Sequence, residues 1–136
     1  MEIDELEGKK LSEAVARALG MREETAGWWW NGDRSVFIGD DCPLIGEPAE
    51  RFYNPHRDIA QAWELDGEGW CMWKFGEWKD GRVFAMVFRK HPDEDHEYGG
   101  GDVLALETAK MANFPTKAQA YATARCRAFL KAKATE

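Results

Sequence analysis

Apolar residues along the chain follow two periods, one helical and one extended, with breakers between the runs. Leu11, Val15, Ala18 and Leu19 recur every three or four positions, and Gly20 follows them. That spacing predicts a helix over residues 10–20, with Ser12 or an upstream residue as its cap. Trp28, Trp29 and Trp30 form a short apolar burst closed by Asn31-Gly32-Asp33, and residues 35–39 read as a short strand. Gly39, Pro43, Gly46, Pro48 and Pro55 then predict a long irregular connection, a length that is uncommon unless it serves function. Ile59, Ala62 and Trp63 share one face of a second helix over 59–65, which Asp66-Gly67 ends.

Residues 70–75 and 82–89 are strand-like, and Asp80-Gly81 between them marks a hairpin turn. Both faces of both runs are apolar, whereas a sheet wetted on one side alternates apolar with polar. The sheet is therefore expected to be covered on both faces, by helices or by a partner subunit. Residues 90–102 are polar, with Gly99-Gly100-Gly101 near their end, and read as a mobile loop. Residues 103–110 fit a helical or an extended piece equally. Thr116 caps the strongest helix of the chain, over 117–133. These elements predict one α+β domain whose sheet contains the antiparallel hairpin of 70–75 and 82–89, with the 117–133 helix packed on one sheet face through a one-sided apolar stripe.

At 136 residues with 44% apolar side chains the chain can build one core, and seven Trp add bulk to it. Seven Trp and two apolar sheet faces exceed what three short helices cover, so a homo-oligomer is expected. The start is acidic, with neither the basic flank nor the apolar run of a secretion signal, and no segment approaches a membrane span. A soluble protein without membrane association is expected. Cys42, Cys71 and Cys126 are widely spaced and fit neither a disulfide pair nor a four-ligand zinc site. The net charge of −7 argues against a duplex nucleic-acid binder, because that affinity comes from clustered Lys and Arg. A small anionic ligand, held by a few basic groups in a pocket, remains open.

Taken in order, the pieces resemble the phage ABA sandwich family. The likeness rests on residues 11–21, the aromatic cluster at 28–30, the run Asp58-Ile59-Ala60-Gln61-Ala62-Trp63-Glu64-Leu65, the Trp-rich hairpin and Ala124-Arg125-Cys126-Arg127-Ala128. His56-Arg57 departs from the family pattern, where small hydroxyl residues are usual. The resemblance implies a sheet between helical layers. It also implies a function, since Thoeris anti-defence sponge proteins look like members of this group. Such proteins capture cyclic nucleotide immune signals in the host cell cytoplasm and assemble as oligomers, with no cofactor.

Six residues stand out as ligand-binding candidates: Trp30, Phe52, Asn54, His56, Arg57 and Arg125. Arg125 falls inside the apolar stripe formed by Ala118, Tyr121, Ala122, Cys126 and Phe129, so its guanidinium must find an anion, carbonyls or a partner subunit. Arg127, on the opposite side, reads as a solvated charge. The stretch Asn54-Pro55-His56-Arg57-Asp58 opens the second helix, where free N–H groups favour an anion. Arg57 suits a phosphate there, although Asp58 capping the helix beside a solvated Arg57 explains the same residues. Trp30 and Phe52 offer a stacking surface for a base, or else belong to the core. His91 and His96 around Asp93-Glu94-Asp95 read as a solvated turn rather than a metal site, and the triple glycine lacks the context of a phosphate loop.

No Ser or Cys sits in a nucleophile motif, so a binding protein is expected rather than an enzyme. Two functions from different classes follow. One is a sponge that sequesters a cyclic ADP-ribose isomer or a cyclic oligonucleotide without cleaving it. The other is an acidic protein-binding inhibitor that occupies a basic surface of a host defence enzyme.

Overall fold

The computed structural model describes residue 3 and residues 6–39, 52–67, 70–90 and 101–134, leaving aside the side chains of residues 71, 72, 90, 101 and 102. Of the irregular connection expected over 39–55, residues 40–51 lie outside the described residues, and so do residues 91–100 of the polar loop, with His91 and His96. The fold is α+β: the described residues form three α-helices, a short 3-10 turn at Met111–Asn113 and two separate three-stranded antiparallel sheets. Among the described residues no helix is long and apolar enough to cross a membrane.

The first helix, α1, spans Gly8–Ala18, two residues earlier than its apolar period predicts. Gly20 at φ +86° ends it: its N–H donates to the Arg17 carbonyl and that of Met21 to the Ala16 carbonyl, which closes the last turn. Ser12 is no cap. It lies inside the helix, fully buried. Strands β1 (Arg22–Thr25), β2 (Trp28–Trp30) and β3 (Ser35–Phe37) form the small sheet. β1 escapes the sequence pattern because all four of its residues are exposed. The β2–β3 turn is held by the Asn31 Oδ1, which accepts from Asp33 and Arg34 N–H at 2.8 and 2.9 Å. Trp29 is buried with Val36 and Ile38 against Ala16 of α1, whereas Trp30 is 36% exposed.

The larger sheet is the meander β4 (Trp70–Glu77), β5 (Arg82–Lys90) and β6 (Gly101–Lys110). Both strands expected there form, with Gly81 at φ +87° in the turn, and residues 103–110 are extended, not helical. The last helix, α3, spans Lys117–Ala134, and Thr116 Oγ1 accepts from Gln119 N–H at 3.2 Å as its cap.

Contrary to a one-sided stripe, α3 is buried on two sides. Ala120, Ala124, Ala128 and Ala132, spaced by four, lie on Val83, Ala85, Val87, Ala105 and Ala109 of the sheet. Ala122, Cys126, Phe129 and Leu130 instead meet Leu11 and Val15 of α1 and the short helix α2 (Ile59–Trp63) with Leu65. The small alanine face lets helix and sheet approach closely, and the larger face fills the second core. As α1 and α2 pack on α3, the described helices gather on one side of the β4–β6 sheet. Glu107, 8% exposed on that side, pairs with Lys131 of α3.

Cys126 is fully buried and free, and burial pushes its thiol well above the ordinary range. With Cys42 and Cys71 replaced by Ser, the native protein should resist alkylation at pH 8, and labelling should begin only at denaturant concentrations that unfold it. Mass spectrometry against unfolding monitored by fluorescence checks this.

Candidate functional site

Residues 52–58 run from the small sheet to α2, and most polar groups of their backbone are engaged. Tyr53 N–H donates to the Phe37 carbonyl at 2.8 Å, next to a bridge between Phe37 and Phe52. Gln61 of α2 clamps the stretch from the other side: its Nε2 donates to the Phe52 carbonyl at 2.7 Å and its Oε1 accepts from Asn54 N–H at 2.6 Å. Asn54, 3% exposed, presents its whole amide to Gly39, accepting from the N–H and donating to the carbonyl at 3.0 Å each. Its own carbonyl accepts from Arg57 and Asp58 N–H at 3.0 and 2.9 Å. Asp58 then caps α2, accepting from Ala60 and Gln61 N–H at 3.0 and 3.3 Å.

His56 is fixed by two hydroxyls that sequence reasoning missed. Ser12 Oγ lies 2.6 Å from Nδ1 and accepts from the His56 backbone N–H at 3.1 Å. Thr123 Oγ1 of α3 donates to the His56 carbonyl at 3.0 Å. Their sequence signal is a small hydroxyl on an otherwise apolar helix face, where a buried donor must find a partner. The Ser12–His56 contact resembles a nucleophile with its base, but Ser12 is 0% exposed within a helix, so no substrate carbon can reach it.

His56 and Arg57 line a surface cleft of about 320 Å³ together with Gly8, Pro115, Gln119 and Thr123. The N-terminus of α1 borders it, and the N-cap residue Glu7 makes no side-chain bond to the first turn. A cleft with a guanidinium, an imidazole, an amide and unsatisfied helix N–H groups suits an anion. Arg57 Nη2 also approaches the Gly39 carbonyl at 3.4 Å, which tethers the guanidinium at the cleft wall.

Of the other candidates, Asn54 works from behind the cleft, holding the segment that carries His56. Phe52 packs edge-on against Phe37 with ring centroids 6.1 Å apart, and Phe37 against Trp28 at 5.3 Å; Phe52 and Trp28 are half-buried, and neither lines the cleft. The structure brings neither Trp30 nor Arg125 to the cleft. Arg125, 5% exposed, donates through Nη2 to the carbonyls of Trp63 and Leu65 at 2.8 and 2.6 Å, at the far end of α2. Its guanidinium lies 3.9 Å over the Trp73 ring, flanked by Trp63 and Phe75 at 5.3 Å. Burial pulls its pKa down to about 10, against a smaller opposing effect of Asp66, and it stays charged at neutral pH. Of the three partners left open for Arg125, carbonyls are the ones it meets. Arg127 is not the solvated charge expected of it: it donates to the Leu6 carbonyl at 3.1 Å and sits 3.8 Å from Glu7, tying the segment before α1 to α3.

A second cleft, about 270 Å³, lies where the ends of α1 and α2 approach the small sheet and is bounded by Leu19, Met21, Asn31, Tyr53, Glu64 and Leu65. Burial raises the Tyr53 hydroxyl above its ordinary range, so it faces this cleft as a neutral donor. Among the described residues no group of three His, Cys, Asp or Glu is placed to hold a metal. No family model, curated protein or solved structure matches the chain.

Proposed function

We propose that the protein binds and sequesters a small phosphorylated ligand without cleaving it, in the manner of a phage anti-defence sponge acting in the host cell cytoplasm. The observation that carries this reading is the cleft at the start of α1, where Arg57 and His56 project from a backbone fixed on both sides. Preorganisation of that kind reduces the entropy lost when a ligand binds. A cyclic nucleotide signal, either a cyclic ADP-ribose isomer or a cyclic oligonucleotide, is the class that the family resemblance implies, and its phosphates match the cleft's donors. The layered sandwich implied by the same resemblance needs cover on the sheet face away from α3, and in this reading another copy of the chain supplies it.

The test is to incubate the protein with a panel of cyclic ADP-ribose isomers and cyclic di- and trinucleotides, remove free ligand, denature by heat and identify what is released. Intact ligand supports a sponge, and a linear product indicates an enzyme. Retention of no panel member overturns the reading and favours an acidic inhibitor of a host enzyme. With ligand at a hundredfold excess over Kd, unfolding should shift by about 2.7 kcal/mol. Arg57→Ala should weaken binding by about ten- to a hundredfold, the worth of one charge-assisted contact of roughly 1.5 to 3 kcal/mol, and leave the unfolding midpoint nearly unchanged. Isothermal titration beside thermal unfolding separates the two effects.

A further inference from the structure

The second cleft lies at the other end of α1 from the cleft of His56 and Arg57, and its groups favour the opposite charge. Gly8 borders one and Leu19 the other, a separation of about 16 Å along the helix axis. Leu19 is the C-cap of α1, so the negative end of that helix dipole lies at the second cleft. The carbonyls of Val15, Ala16 and Arg17 accept from Leu19, Gly20 and Met21 N–H, and among the described residues those of Ala18 and Leu19 have no donor.

Glu64, the C-cap of α2, brings a carboxylate that pairs with no described cation, and the Tyr53 hydroxyl makes no hydrogen bond to a described residue. Burial first, then Cys126 and Glu64, raise that hydroxyl above its ordinary range, which keeps it neutral with Glu64 beside it. Asn31 Oδ1 is committed to two N–H groups of its turn, so Nδ2 is what Asn31 has left to offer. Leu19, Met21 and the buried Leu65 supply apolar wall. Two guanidiniums of the surrounding helices are engaged elsewhere: Arg17 lies over the Trp29 ring at 5.1 Å, and Arg125 holds the Trp63 and Leu65 carbonyls.

We propose that this cleft binds a compact organic cation, a primary ammonium on an apolar or aromatic stem that ends in a hydrogen-bond acceptor. An ammonium has three donors, and the acceptors at the cleft are the Glu64 carboxylate, the Tyr53 oxygen and the carbonyl end of α1. A neutral tyrosine hydroxyl accepts from the ammonium while turning its own hydrogen toward Glu64. The stem lies on the apolar wall, and its acceptor meets Asn31 Nδ2. An anion is repelled by both Glu64 and the helix end. A hard metal ion is the poorer fit, since it takes six or more oxygen ligands and the cleft offers one carboxylate. At about 270 Å³ the cleft falls just below the size of drug-binding pockets, which selects a molecule on the order of ten heavy atoms.

Titration of the full chain with tyramine tests this, by calorimetry and by the NMR shifts of backbone amides. Tyramine should bind one per chain with a Kd of about 1 mM or below, and should shift the amides of Leu19, Met21, Tyr53 and Leu65. The carboxylate analogue, 4-hydroxyphenylacetate, should not bind. Phenethylamine, which lacks the acceptor for Asn31, should bind about three- to tenfold more weakly than tyramine. Glu64→Gln should weaken tyramine binding by about tenfold or more, and Tyr53→Phe by about three- to tenfold, with the unfolding midpoint of Glu64→Gln unchanged. Glu13→Gln removes the same charge from α1 outside this cleft and should bind like the wild type, which separates the site from the general attraction of cations to a chain of net charge −7. Unchanged affinity in Glu64→Gln, equal binding of the carboxylate analogue, or no saturation by about 10 mM tyramine would overturn the proposal. Phosphorylated ligands belong to the other cleft, so failure of the cyclic nucleotide panel leaves this result untouched.

Discussion

Arg125→Ala is expected to lower the free energy of unfolding by about 3 to 5 kcal/mol, because it removes two charge-assisted hydrogen bonds and leaves two carbonyls without donors. The bonds are those to Trp63 and Leu65, and the lost stack is the one over Trp73. In a domain of this size the thermal midpoint should fall by on the order of 10 °C. Arg125→Lys should recover little, since an ammonium cannot lie flat between rings while reaching both carbonyls. Arg125→Met, which keeps the volume, should fall between the two. Differential scanning calorimetry checks the order. A variant with wild-type stability that fails only to retain ligand would show instead that Arg125 is a ligand contact.

Asn54→Ala should cost about 2 to 4 kcal/mol, the sum of a buried amide's bonds and the two unpaired groups left on Gly39. Asn54→Asp is the sharper variant. It keeps the acceptor for the Gly39 N–H but turns a carboxylate toward the Gly39 carbonyl, so at neutral pH it should be at least as damaging as Ala. Below the carboxyl's ordinary pKa of about 4 the protonated group can donate again, and part of the deficit should return relative to Asn54→Ala. Chemical denaturation of both variants at pH 7 and pH 3.5 measures this. Equal losses for the two at every pH would mean that the amide's donor does nothing.

The elements with a buried face were legible in the sequence. Leu11 and Val15 located α1, and the Asp80-Gly81 turn located the hairpin, because each signal is local. β1 was not legible, since four exposed residues leave no apolar period and only pairing with β2 makes them a strand. The double burial of α3 was also hidden. Alanines every four residues look neutral beside Phe129 and Leu130, yet they form the face that meets the sheet. At the site, the position of His56 and Arg57 ahead of a capped helix was readable from spacing. Ser12 and Thr123, which hold His56, lie 44 and 67 positions away from it, and no local pattern carries such distances. Arg125 was rightly singled out as a buried charge, but which of anion, carbonyl or subunit it meets depends on where α2 ends.

The alanine face of α3 also bears on how the protein comes apart. The β4–β6 meander joins sequence neighbours and can form early, whereas α1 and α2 share their core with α3, and the small sheet packs in turn on α1. Native-state fluctuations should therefore be graded, with the N-terminal third opening locally while α3 and β5 hold. The ligand cleft lies on that boundary, its walls drawn from both sides. A molecule bound there bridges the weak and strong parts of the chain, and so restrains the motion to which the N-terminal third is most prone.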